Sequence, residues 1–271
     1  MAAGDIGSGD LVQSFARGLA VIRAFSVGGP ELTLSEVATR AEVTRAAARR
    51  FLLTLVDVGY AHTDGKRFWL RPTILELGNA YLSALGLADV ARPHMRRLVE
   101  EVADSSALSV LSGEDMVYVA LCRAADRPVM ALNVSVGTRI PAYPTSMGRV
   151  LLAGQPADWR ADYLRRGEFR SMTPYTVTDA GRFAGILDRV ERDRFAIVDQ
   201  ELAVGLRSVA VPVYRPDGEL CAALNVSTST GRRSVEDLRN DVLGALFRAA
   251  EGIAADLTAM DGRRAGVTQL S

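Results

Sequence analysis

The spacing of apolar residues predicts helices along the first part of the chain. Residues 14–26 repeat apolar side chains at helical spacing, with Ser14 as the expected N-cap: Phe15, Leu19, Ile22 and Phe25. Gly and Pro at 28–30 end this helix. Thr33 followed by Glu36 is a capping box, which predicts a second, short helix running to about Ala41.

Residues 44–60 have the pattern of a helix with an apolar stripe on one side and basic residues on the other. Their apolar stripe comprises Ala47, Ala48, Phe51, Leu55 and Val58, while Arg45, Ala46, Arg49 and Arg50 lie opposite it in the first two turns. Further apolar residues, Leu52, Leu53 and Val56, predict that the second half is buried nearly all round. Such a helix can insert its basic first turns into a DNA major groove. A surface helix with a solvated arginine face is the alternative.

A hairpin signal follows this helix. Asp64-Gly65 separates two alternating, aromatic-rich runs, which predicts a type I′ turn with His62 packed on the hairpin. Lys66 and Arg67 come just past its tip, where a wing meets DNA phosphates. Helices followed by a basic hairpin predict a winged helix-turn-helix. The expected DNA-contacting residues are Thr33, Ser35, Thr44, Arg45, Ala46, Arg49, Arg50, Lys66 and Arg67.

The rest of the chain alternates between helical and strand patterns. Helices are predicted at 73–85, 87–103, 146–154, 157–166, 183–194 and from 235 to about 260, and strands at 106–112, 115–123, 128–137, 206–214 and 219–228. The fold class is therefore α+β with a mostly antiparallel sheet. The predicted organisation is a tail (1–12), a winged helix-turn-helix (13–71), a linker helix (72–86), a second, α+β domain (87–262) and a second tail (263–271).

One short sequence occurs twice in the second half. MALNVS at 130–135 recurs as AALNVS at 222–227, and alternation places Asn133 with Ser135, and Asn225 with Ser227, on one strand face. The polar face either meets solvent or, if these apolar strands are central, needs partners that a small polar ligand could supply.

Composition and charge narrow the classes of function. The chain has 271 residues, is 48% hydrophobic and has a net charge of zero, so attraction to DNA must be local. Between Thr33 and Arg71, seven basic residues outnumber four acidic ones, a local charge of +3. Neither a secretory signal pattern nor an apolar run of membrane-spanning length occurs, so we expect a cytoplasmic protein.

The sequence lacks the common signatures of catalysis and metal binding. The cysteines Cys122 and Cys221 and the histidines His62 and His94 include no short-range pair, so neither a metal nor a cofactor is expected. GxSxG, HExxH, P-loop and dinucleotide-binding motifs are missing, which disfavours an enzyme. The large second domain disfavours a DNA-binding structural protein without a ligand.

The motifs resemble the IclR family of bacterial transcription regulators along essentially the whole chain, and its PcaR/PcaU/PobR branch in particular, which controls aromatic-acid and β-ketoadipate catabolism. The resemblance rests on RGLAVIRAF (17–25), LTLSEVATRAEVTRAAARRFLLTLVDVGY (32–60), FWLRPTILELG (68–78), GTRIPAYPTSMGRVLLAG (137–154) and ELAVGLRSVAVPV (201–213). It implies a winged-helix domain, a GAF-like effector domain, and dimers that often form tetramers.

The resemblance also implies an effector site between the helix at 146–154 and the sheet. The matching positions are Ser146, Met147, Ser208, Asn225 and Ser227, with Met130 as a further candidate although alternation turns it away from Asn133. Some members have Cys in place of Ser208 and Ser in place of Asn225, so the ligand need not be their small keto acid. Amides at the helix start suit a carboxylate. We expect an aromatic or β-ketoadipate-type acid; regulation of another pathway, such as glyoxylate or keto-acid use, is the alternative.

Overall fold

The computed structural model describes residues 12–78, 86–124 and 134–268. The chain divides between Tyr81 and Leu82 into two compact units, here called unit 1 and unit 2. Within the described ranges, no helix combines the length and the apolar composition needed to cross a bilayer.

Up to the end of the hairpin, the described residues of unit 1 form helices and a small antiparallel sheet in the predicted winged helix-turn-helix order. The helices are α1 (Gln13–Arg23), α2 (Phe25–Gly28), α3 (Leu34–Arg40) and α4 (Arg45–Asp57), and the strands are β1 (Leu32–Thr33), β2 (Ala61–Thr63) and β3 (Arg67–Leu70), in the order β1-β3-β2. The predicted caps Thr33 and Thr44 are confirmed. The predicted cap Ser14 is wrong, because α1 begins at Gln13 after Val12, which makes no side-chain capping bond.

Helix α4 is buried along one face only. Ala48 and Leu52 are fully buried in the core of unit 1, among Val21, Leu32, Val37 and Phe68. The prediction that its second half is buried nearly all round is wrong, since Leu53 is 39% and Val58 54% exposed. The reason is that α1, α3 and β2, which contact α4, cover a single side of it.

Glycine closes α4 and directs the chain into the hairpin. Gly59 has a φ of +83°, the Tyr60 amide donates to the Leu55 carbonyl (2.8 Å), and the Gly59 amide donates to the Val56 carbonyl (3.2 Å). This is a Schellman ending, in which glycine takes the left-handed position without steric cost.

The hairpin is confirmed, but its predicted type I′ turn is wrong. Only Gly65 of the central pair has a positive φ, whereas the Asp64 carboxylate accepts from the amides of Lys66 (2.8 Å) and Arg67 (2.7 Å). These bonds lower the pKa of the Asp64 carboxyl, which stays charged at the tip. The carboxylate thereby shapes a longer loop, and pairing between β2 and β3 starts at Thr63 and Phe68. His62 packs edge-on against Trp69 across the strands, as predicted.

The chain after the hairpin departs in part from the predicted linker helix. Pro72–Ile74 forms a 3₁₀ turn and residues 75–78 are helical. Residues 79–85 of the predicted helix lie outside the described ranges.

Within the described residues, unit 2 is built on a six-stranded antiparallel sheet, which confirms the α+β prediction. Its strands are β4 (Ser105–Ser112), β5 (Asp115–Cys122), β6 (Arg139–Pro141), β7 (Ala196–Asp199), β8 (Leu206–Tyr214) and β9 (Leu220–Ser229), in the order β6-β5-β4-β9-β8-β7. The short strands β6 and β7 were not predicted. For the predicted strand at 128–137, residues 134–137 are not in a strand and the preceding ones lie outside the described ranges.

Helices cover both faces of this sheet. They are α5 (Leu87–Val102), α6 (Ser146–Ala153), α7 (Ala157–Arg166), α8 (Ala180–Asp193), the short α9 (Val235–Asp237), one π-helical turn (Leu238–Val242) and α10 (Leu243–Thr268). Helices α5 and α10 pack on one face, and α6 and α8 on the other. The predicted end of the last helix near Met260 is wrong, since α10 continues to Thr268.

Strand β9 shows the predicted alternation. Leu224 and Val226 face α5 and α10, whereas Ala223 and Asn225 are on the α6 side. The polar positions of the second LNVS segment therefore lie beneath α6. In the first segment, Met130 and Asn133 lie outside the described residues.

Candidate functional site

A row of serines crosses the sheet of unit 2 beneath α6. Ser105 of β4, Ser227 of β9 and Ser208 of β8 are successive register partners in adjacent strands. Above them, the Ser146 hydroxyl at the start of α6 donates to the Ser208 hydroxyl at 2.8 Å. The row and the helix start thus form one polar surface.

The N-terminus of α6 leaves backbone donors free beside this row. Thr145 caps the helix, since its hydroxyl accepts from the Gly148 amide at 2.9 Å. Among the described residues, the amides of Ser146 and Met147 have no acceptor. Free amides at the positive end of the helix dipole attract an anion.

Gly148 allows α6 to approach the preceding loop. A Cβ at this position would lie 2.0 Å from the Ala142 carbonyl oxygen, a distance that excludes any larger residue without movement of the helix. The glycine of the SMGRVLLAG motif therefore fixes where the free amides lie.

The polar row, the start of α6 and several apolar side chains line a cavity of about 100 Å³. A cavity of this size holds several water molecules, which suits one small organic molecule. All the predicted effector-binding residues that the structure describes line it: Ser146, Met147, Ser208, Asn225 and Ser227. Met130 lies outside the described residues.

Asn225 is partly engaged by the protein itself. Its side-chain oxygen accepts from the Ala107 amide at 2.9 Å, and its side-chain nitrogen donates to the Ser227 hydroxyl at 2.9 Å. Since an amide nitrogen carries two hydrogens, one N–H remains for a ligand, and Ser227 retains its own hydroxyl hydrogen.

The sequence reasoning missed several cavity residues, among them the polar residues Tyr118 and Arg123. Strand β5 has a bulge opposite Leu108 and Ser109, which leaves Val119 without a register partner. The bulge shifts the alternation, so that Leu121 and Arg123, rather than Cys122, follow Tyr118 on the cavity side. Because of this bulge, the regular alternation of side chains along a strand could not predict which residues of β5 face the cavity.

These two residues add further polar groups to the cavity. Arg123, whose guanidinium donates to the Val134 carbonyl (2.7 Å), is the one charged side chain among the described lining residues. Tyr118 is only 6% exposed, and no described residue forms a hydrogen bond with its hydroxyl. Burial raises the pKa of Tyr118 to about 12, so the phenol stays protonated and can donate.

The cavity also has apolar walls. They include Met116, Leu121, Val134, Met147, Val198, Leu202 and Leu206. A ligand here would combine a buried apolar body with an anionic or polar end near the serine row.

In unit 1, the first turns of α4 form a separate basic surface. Arg45, Ala46, Arg49 and Arg50 are exposed, and no carboxylate of the described residues lies within ion-pair distance of these arginines. Unpaired guanidinium groups on an exposed helix are available to phosphates and base edges.

The predicted polar residues around this surface have mainly structural contacts. The Thr33 amide and hydroxyl both donate to the Glu36 carboxylate, which lowers the pKa of Glu36, and the Thr44 hydroxyl accepts from the Ala47 amide (3.2 Å). Ser35 is exposed on α3, and its carbonyl accepts from the Thr39 hydroxyl. Thr33 and Thr44 thus hold the two helices in place.

Comparison with known proteins assigns the family. A model of the IclR helix-turn-helix domain matches residues 14–65, and a model of the bacterial transcriptional regulator IclR C-terminal domain matches residues 79–255, more than half of the chain. The chain belongs to the IclR family. It is therefore a DNA-binding transcriptional regulator.

Individual relatives cover nearly the whole length of this IclR-family chain. The Pca regulon regulatory protein of Pseudomonas putida is 39% identical over 93% of this chain and 86% of its own, and the p-hydroxybenzoate hydroxylase transcriptional activator of Acinetobacter baylyi is 32% identical over 91% and 92%. A crystal structure of an IclR homolog from Microbacterium hydrocarbonoxydans, complexed with 4-hydroxybenzoate, is 26% identical, with a TM-score of 0.80 over 91% of this chain and 99% of that one.

In this IclR-family regulator, the basic residues of the wing are predicted to contact DNA phosphates. Lys66 and Arg67 are exposed beside the hairpin tip. Replacing both with Ala should reduce the slope of log affinity for operator DNA against log salt by roughly 1–2, since each lost phosphate contact removes about 0.9. The matched control replaces Arg96 and Arg97, an exposed adjacent pair on α5 of unit 2. An unchanged slope in the wing variant, or an equal change in the control, would rule out wing–phosphate contacts.

Proposed function

We propose that this regulator controls an operon for aromatic-acid catabolism and that its effector is a single-ring aromatic carboxylate, with a ring hydroxyl, bound in the cavity of unit 2. The observation that carries the proposal is that the serine row meets the free amides of α6 at a cavity that also has apolar walls. The regulator would act in the cytoplasm, by binding operator DNA and effector rather than by catalysis, and without a cofactor.

The carboxylate has donors at the serine end of the cavity. The free amides of Ser146 and Met147, the Ser227 hydroxyl and the guanidinium of Arg123 all belong to groups that line it. Hydrogen bonds to a charged partner contribute roughly 1.5–3 kcal/mol each. Micromolar binding needs about 8 kcal/mol in total, so burial of an apolar ring must supply much of the rest.

The unpartnered hydroxyl of Tyr118 favours an effector with a second polar group. The register partner of Tyr118 in β4 is Ser109, which is four residues from Ser105 of the serine row. At 3.3 Å per residue, Ser109 and Ser105 are roughly 13 Å apart along the strand. Buried polar groups are normally hydrogen-bonded, and a ring hydroxyl would supply the missing partner. A dicarboxylate of the β-ketoadipate type fits less well, because Arg123 is the one cation among the described lining residues.

The relatives support the same class of effector. One is named as a regulator of a p-hydroxybenzoate hydroxylase, and one solved homolog holds 4-hydroxybenzoate. A regulator of glyoxylate or keto-acid use remains the competing assignment, and the acid panel below separates the two.

For DNA binding, we propose that α4 reads the operator major groove, with α3 and the wing beside it. The residues are those expected from the sequence: Thr33, Ser35, Thr44, Arg45, Ala46, Arg49, Arg50, Lys66 and Arg67. The regulator would act as a homodimer or a homotetramer. Exposed apolar side chains in unit 1, such as Phe15 (69% exposed) and Leu19 (40%), support an association between copies.

The proposal is tested by calorimetry with a panel of acids and by gel shift with operator DNA selected from a random pool. We expect 4-hydroxybenzoate to bind more tightly than benzoate, and both more tightly than cyclohexanecarboxylate, adipate or glyoxylate. Tyr118→Phe should weaken 4-hydroxybenzoate about fivefold and leave benzoate unchanged, since a neutral hydrogen bond contributes about 1 kcal/mol. Tighter binding of adipate or glyoxylate would contradict the aromatic assignment, and turnover of any acid would indicate an enzyme.

A further inference from the structure

A buried ion pair lies next to the effector cavity. Arg149 of α6 is 3% exposed and Glu201 is 7% exposed, and the Arg149 guanidinium donates to the Glu201 carboxylate at 2.7 Å. Arg149 also donates through Nε to the Tyr143 carbonyl at 3.0 Å, which ties it to the chain just before α6. Arg149 therefore sits in the same short helix as the cavity residues Ser146 and Met147.

Glu201 belongs to the segment 200–206 between β7 and β8, here called the 200–206 loop. Its carboxylate also accepts from the Val177 amide at 2.9 Å. The hydroxyls of Thr173 and Thr176 donate to the carbonyls of Gln200 (2.7 Å) and Glu201 (2.6 Å). Gln200 has a φ of +60°, a conformation that a non-glycine residue keeps only where its surroundings hold it.

The 200–206 loop forms part of the cavity wall. Leu202, directly after Glu201, and Leu206, at the start of β8, both line the cavity. The carboxylate of Glu201 thus connects this wall to the helix that carries the free amides.

A buried ion pair is a weak source of stability, because desolvation of both charges offsets most of their attraction. It does impose a direction and a distance on the groups it joins. We propose that Arg149 and Glu201 are positioning residues that set the distance between Leu202 and the N-terminus of α6, and that this distance limits the effector to one ring. The proposal rests on the proposed function, since it assumes that the cavity binds aromatic acids.

The test compares a one-ring and a two-ring acid, 4-hydroxybenzoate and 6-hydroxy-2-naphthoate, by calorimetry on the full-length chain. Glu201→Gln removes the charge and nearly preserves the shape. The double variant Arg149→Met, Glu201→Met removes both charges while filling the space with apolar groups, which preserves folding when a buried pair is replaced. Glu191→Gln is the matched control, because Glu191 pairs with Arg160 at 2.7 Å on the surface of α8, with 55% of its side chain exposed.

We expect the wild type to bind the one-ring acid about 100-fold or more tighter than the two-ring acid. Both pair variants should reduce that preference at least tenfold, and a tenfold change in the ratio of affinities corresponds to about 1.4 kcal/mol. Glu191→Gln should keep the wild-type preference. Operator affinity without acid should stay within about twofold of wild type for every variant, because the change is confined to unit 2. A merely structural pair would lower the melting temperature without changing the ratio of the two affinities.

The outcomes separate the two proposals. If the wild type binds and either folded pair variant retains its preference, the positioning role is overturned while the proposed function stands. If the wild type binds neither acid, the proposed function fails and the one-ring limit fails with it. If Glu201→Gln does not fold, the ratio of the one-ring to the two-ring affinity is measured on the double variant and on Glu201→Asp, which keeps the charge on a shorter side chain.

Discussion

Ser227→Leu is expected to abolish the response to effector while operator binding stays intact. Ser227 lies at the centre of the serine row, between Ser105 and Ser208, and accepts a hydrogen bond from Asn225. Leucine would remove a donor to the carboxylate and place an apolar group where the anion binds. We expect effector affinity to fall by about 100-fold or more, which corresponds to about 2.7 kcal/mol.

The matched control is Ser229→Leu, the same substitution in the same strand. Ser229 is exposed at the end of β9 and does not line the cavity. Calorimetry with 4-hydroxybenzoate, followed by gel shift of operator DNA with and without the acid, measures both functions of each variant. Equal acid binding by Ser227→Leu and wild type would place the effector site elsewhere in the molecule.

The DNA-binding unit could be predicted closely because its signals are local. Thr33 with Glu36, and Thr44 with the Ala47 amide, are contacts between residues three positions apart, and the structure contains both. The Ser14 cap and the type I′ turn were predicted wrongly, and so was the burial of α4. Leu53 and Val58 are apolar but exposed, because a periodicity shows which residues are apolar and not how much of the helix its neighbours cover.

The effector cavity was predicted only in part, because it depends on contacts between distant segments. The pairing of Ser105, Ser227 and Ser208 follows from strand register, and the contact of Ser146 with Ser208 joins residues 62 positions apart. The repeated LNVS segment pointed to positions 225 and 227, and the family resemblance added 146, 147 and 208. Arg123 was not predicted as a cavity residue, because the bulge in β5 reverses the face expected from alternation.

The pair of Arg149 and Glu201 carried no sequence signal. A charged residue usually lies at the surface, and nothing around either position indicated burial. Only the folded arrangement of α6, α8 and the 200–206 loop removes both from solvent. Features of this kind depend on tertiary packing, so a sequence pattern could not reveal them.

Replacing Arg45, Arg49 and Arg50 together with alanine should nearly eliminate operator binding. The three side chains are exposed on the first turns of α4, without carboxylate partners among the described residues. An arginine that reads a base contributes about 1–3 kcal/mol, so three lost contacts should reduce affinity on the order of a thousandfold. The fold should persist, because alanine favours helix and the core residues Ala48 and Leu52 are unchanged.

The decisive control keeps the same change in net charge and the same spacing. Arg92, Arg96 and Arg97 are exposed on α5 of unit 2 and repeat the spacing of Arg45, Arg49 and Arg50. If attraction to DNA were a property of overall charge, both triple variants would lose affinity alike. We expect only the α4 variant to lose it, in fluorescence anisotropy with operator and with scrambled DNA. Wild-type affinity in a folded α4 variant would show that another surface of unit 1 reads the operator.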